Sequence, residues 1–147
     1  ADTGRYGNDR DAMERFWRNI FGGLASARFH RPDSGLGLGD KAQANIRSMR
    51  MVTDRMDVFT CEPHNDLLSS RESNEAYCLA NPGTEYAVYF PDGGKVTLNV
   101  NPIDRPVTVR WLDIMRSEWV ESKAAQMDGT VSLECPSKDY WVALVRP

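Results

Sequence analysis

The sequence predicts an α+β fold, an N-terminal helical segment followed by an antiparallel β-sandwich. Three observations predict it. Apolar residues recur every three or four positions up to Met56, the period drops to two from Glu75 onward, and turn-forming residues punctuate that second stretch. At 147 residues the chain can bury one good core, or one core with a smaller helical unit packed on it, but not three separate domains.

The first helix is carried by Met13, Phe16, Trp17, Ile20, Phe21 and Leu24, whose spacing puts them on one face, with Asn8 or Asp9 as its cap. Gly22 and Gly23 weaken its continuation, and Leu24 to His30 reads as a short strand or extended exit closed by Pro32. Residues 33–39 form a loop by composition. Its spaced glycines do not make a phosphate loop, because no Gly-Lys-Ser/Thr follows and no buried strand precedes them in frame. A second helix runs from Asp40, a suitable cap, to about Met56, with Ala42, Ile46, Met49, Val52 and Met56 on one stripe and Arg47, Arg50 and Arg55 largely off it, on a solvated face. Residues 57–74, with Pro63, Asn65, Asp66 and several serines, form the connector.

Seven strands are predicted beyond it, at 75–80, 85–90, 95–100, 106–112, 118–121, 130–134 and 140–145. The turns between them carry Asn81-Pro82-Gly83, residues 91–94, Asn101-Pro102 and Asp128-Gly129. In the fourth strand Val107, Val109 and Trp111 alternate with Thr108 and Arg110, so one face is core and the other wet. The division falls at residues 1–68, the helical part, and 69–147, the sandwich.

Composition narrows the function. Hydrophobic residues at 41% and charged residues at 27% suit a globular chain and oppose long disordered tracts. A formal charge of −3 with both signs interspersed gives no field for nucleic acid or an anionic membrane, so neither is an expected partner. There is no apolar run of about 18 residues, and residues 1–7 do not lead into the apolar region of a signal peptide, so a soluble product is expected. An opening without Met suits a processed protein or a piece of a longer one. Cys61, Cys78 and Cys135 are odd in number and widely spaced, which favours free thiols ahead of one disulfide and indicates no zinc site. No metal and no cofactor is expected.

Residues 15–32 (RFWRNIFGGLASARFHRP), with the loop and helix after them, resemble the end of the (β/α)8 barrel in apiosidase-like glycoside hydrolases. Residues 75–90 (EAYCLANPGTEYAVYF), Trp111-Leu112-Asp113 and residues 139–145 (DYWVALV) resemble the β-sandwich that follows that barrel, a sandwich often labelled a collagen-binding domain. Ile114 and Ser117 depart from the Pro and Gly usual in the turn after Asp113. The resemblance implies that the helical segment is the last units of a truncated barrel, and that the parent is a secreted or periplasmic carbohydrate-active enzyme with a polysaccharide or oligosaccharide substrate.

Glycoside hydrolysis generally needs two carboxyl groups flanking the scissile bond, and in a barrel they project from the C-terminal ends of different strands. The resemblance places those strands upstream of Ala1, and the segment before Asp33 matching the eighth strand carries no Asp or Glu; no catalytic residue is assigned. Phe29, His30 and Arg31 end that strand and are candidate substrate-binding residues, His30 toward a sugar hydroxyl and Phe29 toward a sugar face; a structural role for Arg31 is the competing reading. His64 is a loop histidine. Among the aromatics, Trp111 and one of Tyr140 and Trp141 belong to the core by alternation, whereas Trp119, beside Glu118 and Glu121, is the candidate exposed platform.

Two functions compete. The sandwich either buttresses the barrel as a structural companion, or binds a carbohydrate or matrix protein as a module. A buttress presents an apolar patch to the helices; a module presents exposed aromatics or a polar-lined groove. The apolar stripe on the first helix, short of barrel strands to cover, is further expected to be left partly bare and to pair two copies as a homodimer.

Overall fold

The computed structural model describes residues 8–24, 39–122 and 126–147. Within them two helices precede an antiparallel β-sandwich, as predicted. Helix α1 (Asp9–Phe21) starts at Asn8, which settles the choice of cap. Asn8 Oδ1 accepts the Asp11 N–H at 3.0 Å and Asp11 Oδ2 accepts the Asn8 N–H at 2.9 Å, so two donors that the helix leaves orphaned are satisfied reciprocally. Helix α2 (Asp40–Thr53) corrects the expected cap and end. Gly39 occupies the cap position without a side-chain bond, and Asp40 sits inside the first turn, where its negative charge faces the positive helix end. Met56 lies beyond the helix yet is buried. The strand expected at Leu24 to His30 falls outside the described residues after Leu24.

The strands are β1 (Glu62–Pro63), β2 (Leu68–Ser69), β3 (Tyr77–Asn81), β4 (Glu85–Phe90), β5 (Lys95–Asn99), β6 (Thr108–Asp113), β7 (Glu118–Ser122), β8 (Gln126–Met127), β9 (Thr130–Glu134) and β10 (Trp141–Arg146). All the predicted strands are present with ends shifted by one or two residues at most. Strands β1, β2 and β8 were not predicted, since two residues cannot display an alternation. They form two sheets, one of six strands in the order β1-β3-β4-β10-β6-β7 and one of four in the order β2-β5-β9-β8. The connector thereby supplies an edge strand to each sheet. Asp128 and Gly129 close the β8–β9 hairpin with φ of +50° and +76°, the two left-handed residues that a right-twisted two-residue turn requires.

Between the sheets lies one core, built from Cys78, Tyr86, Val88, Phe90, Val96, Leu98, Trp111, Val131, Leu133, Trp141 and Ala143 among others. The six-stranded sheet has a second apolar face. Leu79, Ala87, Tyr89, Leu112, Val142 and Leu144 point away from the sandwich interior and pack against Phe16, Trp17, Phe21, Val52 and Met56. This is why Tyr86 to Phe90 and Trp141 to Val145 read as unbroken apolar runs: both neighbouring residues of every pair are buried, on opposite faces. Strands β5 and β9 instead alternate, with Lys95, Asn99, Ser132 and Glu134 in water.

Trp17 is fully buried at the centre of this outer layer. Its ring stacks on Tyr89 with centroids 5.7 Å apart, Phe21 tilts against the same Tyr89 at 5.9 Å, and its indole N–H donates to Asn45 Oδ1 at 2.8 Å. On α2 the buried residues are Asn45, Ser48 and Val52; Val52 is on the predicted stripe, Ile46 and Met49 of that stripe are half-buried against the same layer, and Asn45 and Ser48 enter beside them. Ser48 Oγ donates to the Ile114 carbonyl at 2.6 Å, and Ser117 Oγ donates to the Ala44 carbonyl at 3.2 Å. The expectation of a partly bare stripe is corrected. Met13, Phe16, Trp17 and Phe21 are at most 6% exposed, and Leu24, at 57%, is the residue left in water. The outer faces of β4 and β10 supply the apolar area that covers the stripe.

Two outcomes test this layer. Trp17→Ala is expected to cost about 3–5 kcal/mol in urea unfolding, since it opens a cavity and strips Asn45 of its partner; a loss below about 1 kcal/mol would contradict the burial. Tyr89→Phe is expected to leave the melting temperature unchanged or slightly higher, because the buried Tyr89 hydroxyl has no hydrogen-bond partner among the described residues.

Candidate functional site

At the end of the sandwich where β4 begins and β10 ends, the chain leaving α2 makes a short 3-10 turn, Val58–Thr60, and an open cleft of about 530 Å³ forms beneath it. Residues 53–59, Glu85 and Arg146 line it. The turn is built locally. Asp57 Oδ1 accepts the Phe59 N–H at 3.2 Å, and the Asp57 carbonyl accepts from Thr60 Oγ1 at 2.9 Å and from the Cys61 thiol at 3.3 Å. It is also anchored to the sheet, because the Asp57 N–H donates to Glu85 Oε1 at 2.9 Å. Glu85 is 6% exposed, and its other oxygen takes the Arg146 guanidinium at 2.6 Å. A carboxylate this buried is tolerable only when paired and hydrogen-bonded, and both conditions are met. Both oxygens of Glu85 are thus engaged in holding structure.

Phe59 stands on that turn 92% exposed. Nothing in the sequence reading singled it out, since it lies in the polar connector outside either helical stripe. The signal available was Asp57 two residues before it, an arrangement that caps a tight turn and pins the residue that follows.

Of the predicted site residues, Phe29, His30 and Arg31 lie outside the described residues. Trp119 is on β7 opposite Leu112, half-buried against the helix-facing layer, with the Arg55 guanidinium 4.8 Å from its ring centroid. This is a cation–π contact between Arg55 and the Trp119 ring. Trp111 and Trp141 are in the core between the sheets, as alternation predicted, and Tyr140 is half-buried. His64 sits in the connector with Nδ1 3.2 Å from Asp66 Oδ1. Arg47 and Arg50 are exposed. Among the described residues no group of three or more His, Cys, Asp and Glu is placed to hold a metal ion, and no helix is long and apolar enough to cross a membrane.

The three cysteines are free thiols. Burial pushes Cys61 up to about 11 and Cys78 and Cys135 up to about 12, from an ordinary 9.0, so none is a nucleophile near neutral pH. Across the helices the Lys41 ammonium donates to Asp9 at 3.0 Å and holds that carboxyl below its usual range; both groups are exposed, so the pair contributes little.

What these parts define is a helix-backed β-sandwich with an open cleft, lined by apolar and charged side chains, where the helix exit meets the sheet. No family model matches the sequence, and no curated protein matches it. Solved structures do match in fold. A glycoside hydrolase family 5 protein from Bacteroides vulgatus ATCC 8482 superimposes over 95% of this chain with a TM-score of 0.68 at 15% identity. A second structure, described as a glycoside hydrolase, does so over 95% with a TM-score of 0.69 at 13% identity. The chain spans 36% and 37% of those two proteins, so the helices and the sandwich together correspond to a little over a third of each.

Two measurements follow. Because the folded thiols titrate above their unfolded value of 9.0, their contribution to stability is complete below pH 9 and is lost as pH rises through about 11 to 12; urea midpoints are expected to fall across that window and to fall less in a variant with all three cysteines replaced by serine or alanine. Arg146→Met is expected to cost about 1–2 kcal/mol, discounted for the partial exposure of Arg146, because it strands the Glu85 charge. Adding Glu85→Gln is expected to recover part of that loss, and equal losses in the single and double variants would contradict the pairing.

Proposed function

We propose that this chain is the C-terminal portion of a glycoside hydrolase, in which the sandwich is a structural companion that seats the last helices of the catalytic barrel and is not catalytic alone. The observation that carries the reading is the outer face of the six-stranded sheet. It buries the apolar stripe of α1 and locks α2 through Asn45, Ser48 and Ser117. That is the apolar patch facing the helices which a buttress requires. The fold likeness supports it, since helices and sandwich superimpose together on glycoside hydrolases that are much longer than this chain. The solvent face of the four-stranded sheet points the same way. Lys95, Asn99, Ser132 and Glu134 stand on β5 and β9, and no aromatic stands with them.

In this reading the parent acts on a polysaccharide or oligosaccharide from the secreted or periplasmic side, and the apiosidase-like motifs at residues 15–32 and 75–90 suggest its nearest type. Phe29, His30 and Arg31 would then reach the substrate from the eighth barrel strand. The catalytic carboxylates would come from strands upstream.

The chain by itself is expected to leave aryl glycosides and pectin-derived oligosaccharides intact. Turnover above a heat-killed control, abolished by replacing one Asp or Glu of this chain, would overturn the assignment. In a parent protein extended upstream of Ala1, Trp17→Ala is expected to lower the melting temperature of the whole enzyme; an unchanged barrel transition would show that the sandwich supports nothing.

A further inference from the structure

The buttress reading leaves Phe59 and its cleft unused. We propose that this cleft is a binding subsite for a neutral pyranose, with Phe59 as the stacking platform. The cleft borders the helix–sheet layer through Met56, but Phe59 itself stands outside that layer.

The first ground is the platform. Phe59 is 92% exposed, but the backbone beneath it is held by Asp57 Oδ1, and Asp57 is held in turn by buried Glu85. The ring therefore projects from a rigid support, and binding would cost only the ordering of one short side chain. A pyranose offers an apolar C–H face that packs on such a ring.

The second ground is the polar rim. Asp54, Asp57, Arg55 and Arg146 line the cleft beside the ring, and together they mix acceptors with fixed donors. Carboxylates accept from sugar hydroxyls, and a guanidinium donates to hydroxyl and ring oxygens. The volume, about 530 Å³, lies within the range of small-molecule sites.

The third ground is charge. The lining holds three carboxylates, Asp54, Asp57 and Glu85, against two guanidinium groups, Arg55 and Arg146. Arg146 is paired with Glu85, and Arg55 lies over Trp119. No cation is left in excess to neutralise a ligand's negative charge. Uronic acids, sulfated sugars and phosphates are thus disfavoured, and an uncharged saccharide fits.

Calorimetric titration of the whole chain with xylohexaose, cellohexaose and galactohexaose, beside oligogalacturonate of equal length, tests this. At least one neutral oligosaccharide is expected to bind, and Phe59→Ala to weaken it about tenfold or more, with the melting temperature unchanged because the side chain is exposed. Phe59→Tyr is expected to retain binding. In parallel, amide shifts on adding the sugar are expected at residues 53–59, Glu85 and Arg146. The proposal is overturned if no neutral oligosaccharide binds, if Phe59→Ala binds as tightly as the parent chain, if oligogalacturonate binds more tightly than the neutral sugars, or if the shifts fall elsewhere. Any of these would leave the buttress reading standing, since Phe59 does not touch the helix–sheet layer.

Discussion

The structure depends on one sheet being apolar on both faces. An antiparallel sheet normally buries one face and wets the other, as β5 and β9 do here. Strands β4 and β10 cannot, because Ala87 and Tyr89 on one and Val142 and Leu144 on the other point away from the inter-sheet core. Something must cover them, and α1 does so with Trp17 laid flat on Tyr89. The helices and the sandwich are therefore not two cores side by side. They share the central strands as a common wall.

Apolar contact alone would let a helix rotate or slide over that wall, since hydrophobic burial has no direction. Direction comes from buried polar groups. Asn45 is fully buried, accepts the Trp17 indole N–H and donates to the Lys41 carbonyl at 2.7 Å. Ser48, also fully buried, reaches the Ile114 carbonyl and lies 2.9 Å from Ser117 Oγ. Leaving either group unpaired in that layer would cost the desolvation of a polar side chain, so only one rotation of α2 satisfies all of them. Ser117 is well placed for this role, since φ of +53° lets the turn after Ile114 fold back toward α2.

The cleft arises from the same design at the sheet's end. Where α2 stops, the chain must turn into the connector, and Glu85 supplies the acceptor that fixes the turn to the first residue of β4. Arg146, at the last residue of β10, neutralises it. The ion pair thus joins two adjacent strands to the helix exit and leaves Phe59 projecting above. A function for the sandwich as support and a function for the cleft as a saccharide subsite can coexist, because the first rests on α1 and α2 packed on the sheet face and the second on Phe59, which stands outside that layer.

Much was legible in the sequence because it is local. The 3.6-residue period of α1, the two-residue period of β5 and β9, the Asn8 cap and the Asp128-Gly129 turn each follow from residues within a few positions of one another. The apolar runs at 86–90 and 141–145 were visible as strands, but that they are buried on both faces emerged only with the helices packed on the outer face. The predicted stripe of α2 does face the sheet through Val52, but Asn45 and Ser48 were missed because pattern reading assigns the interior to apolar side chains, and here they go inside with partners 28 and 66 residues away in the chain, Trp17 and Ile114. Trp119 was judged by its charged neighbours, while its surroundings were decided by Arg55 arriving from another element. Phe59 and Glu85 meet at one cleft only after the connector, β4 and β10 come together. The sequence by itself determined the elements and their apolar faces, since those are set by short-range geometry; the tertiary structure alone decided which polar groups could be buried and which aromatic was left in water, because both depend on partners brought from distant parts of the chain.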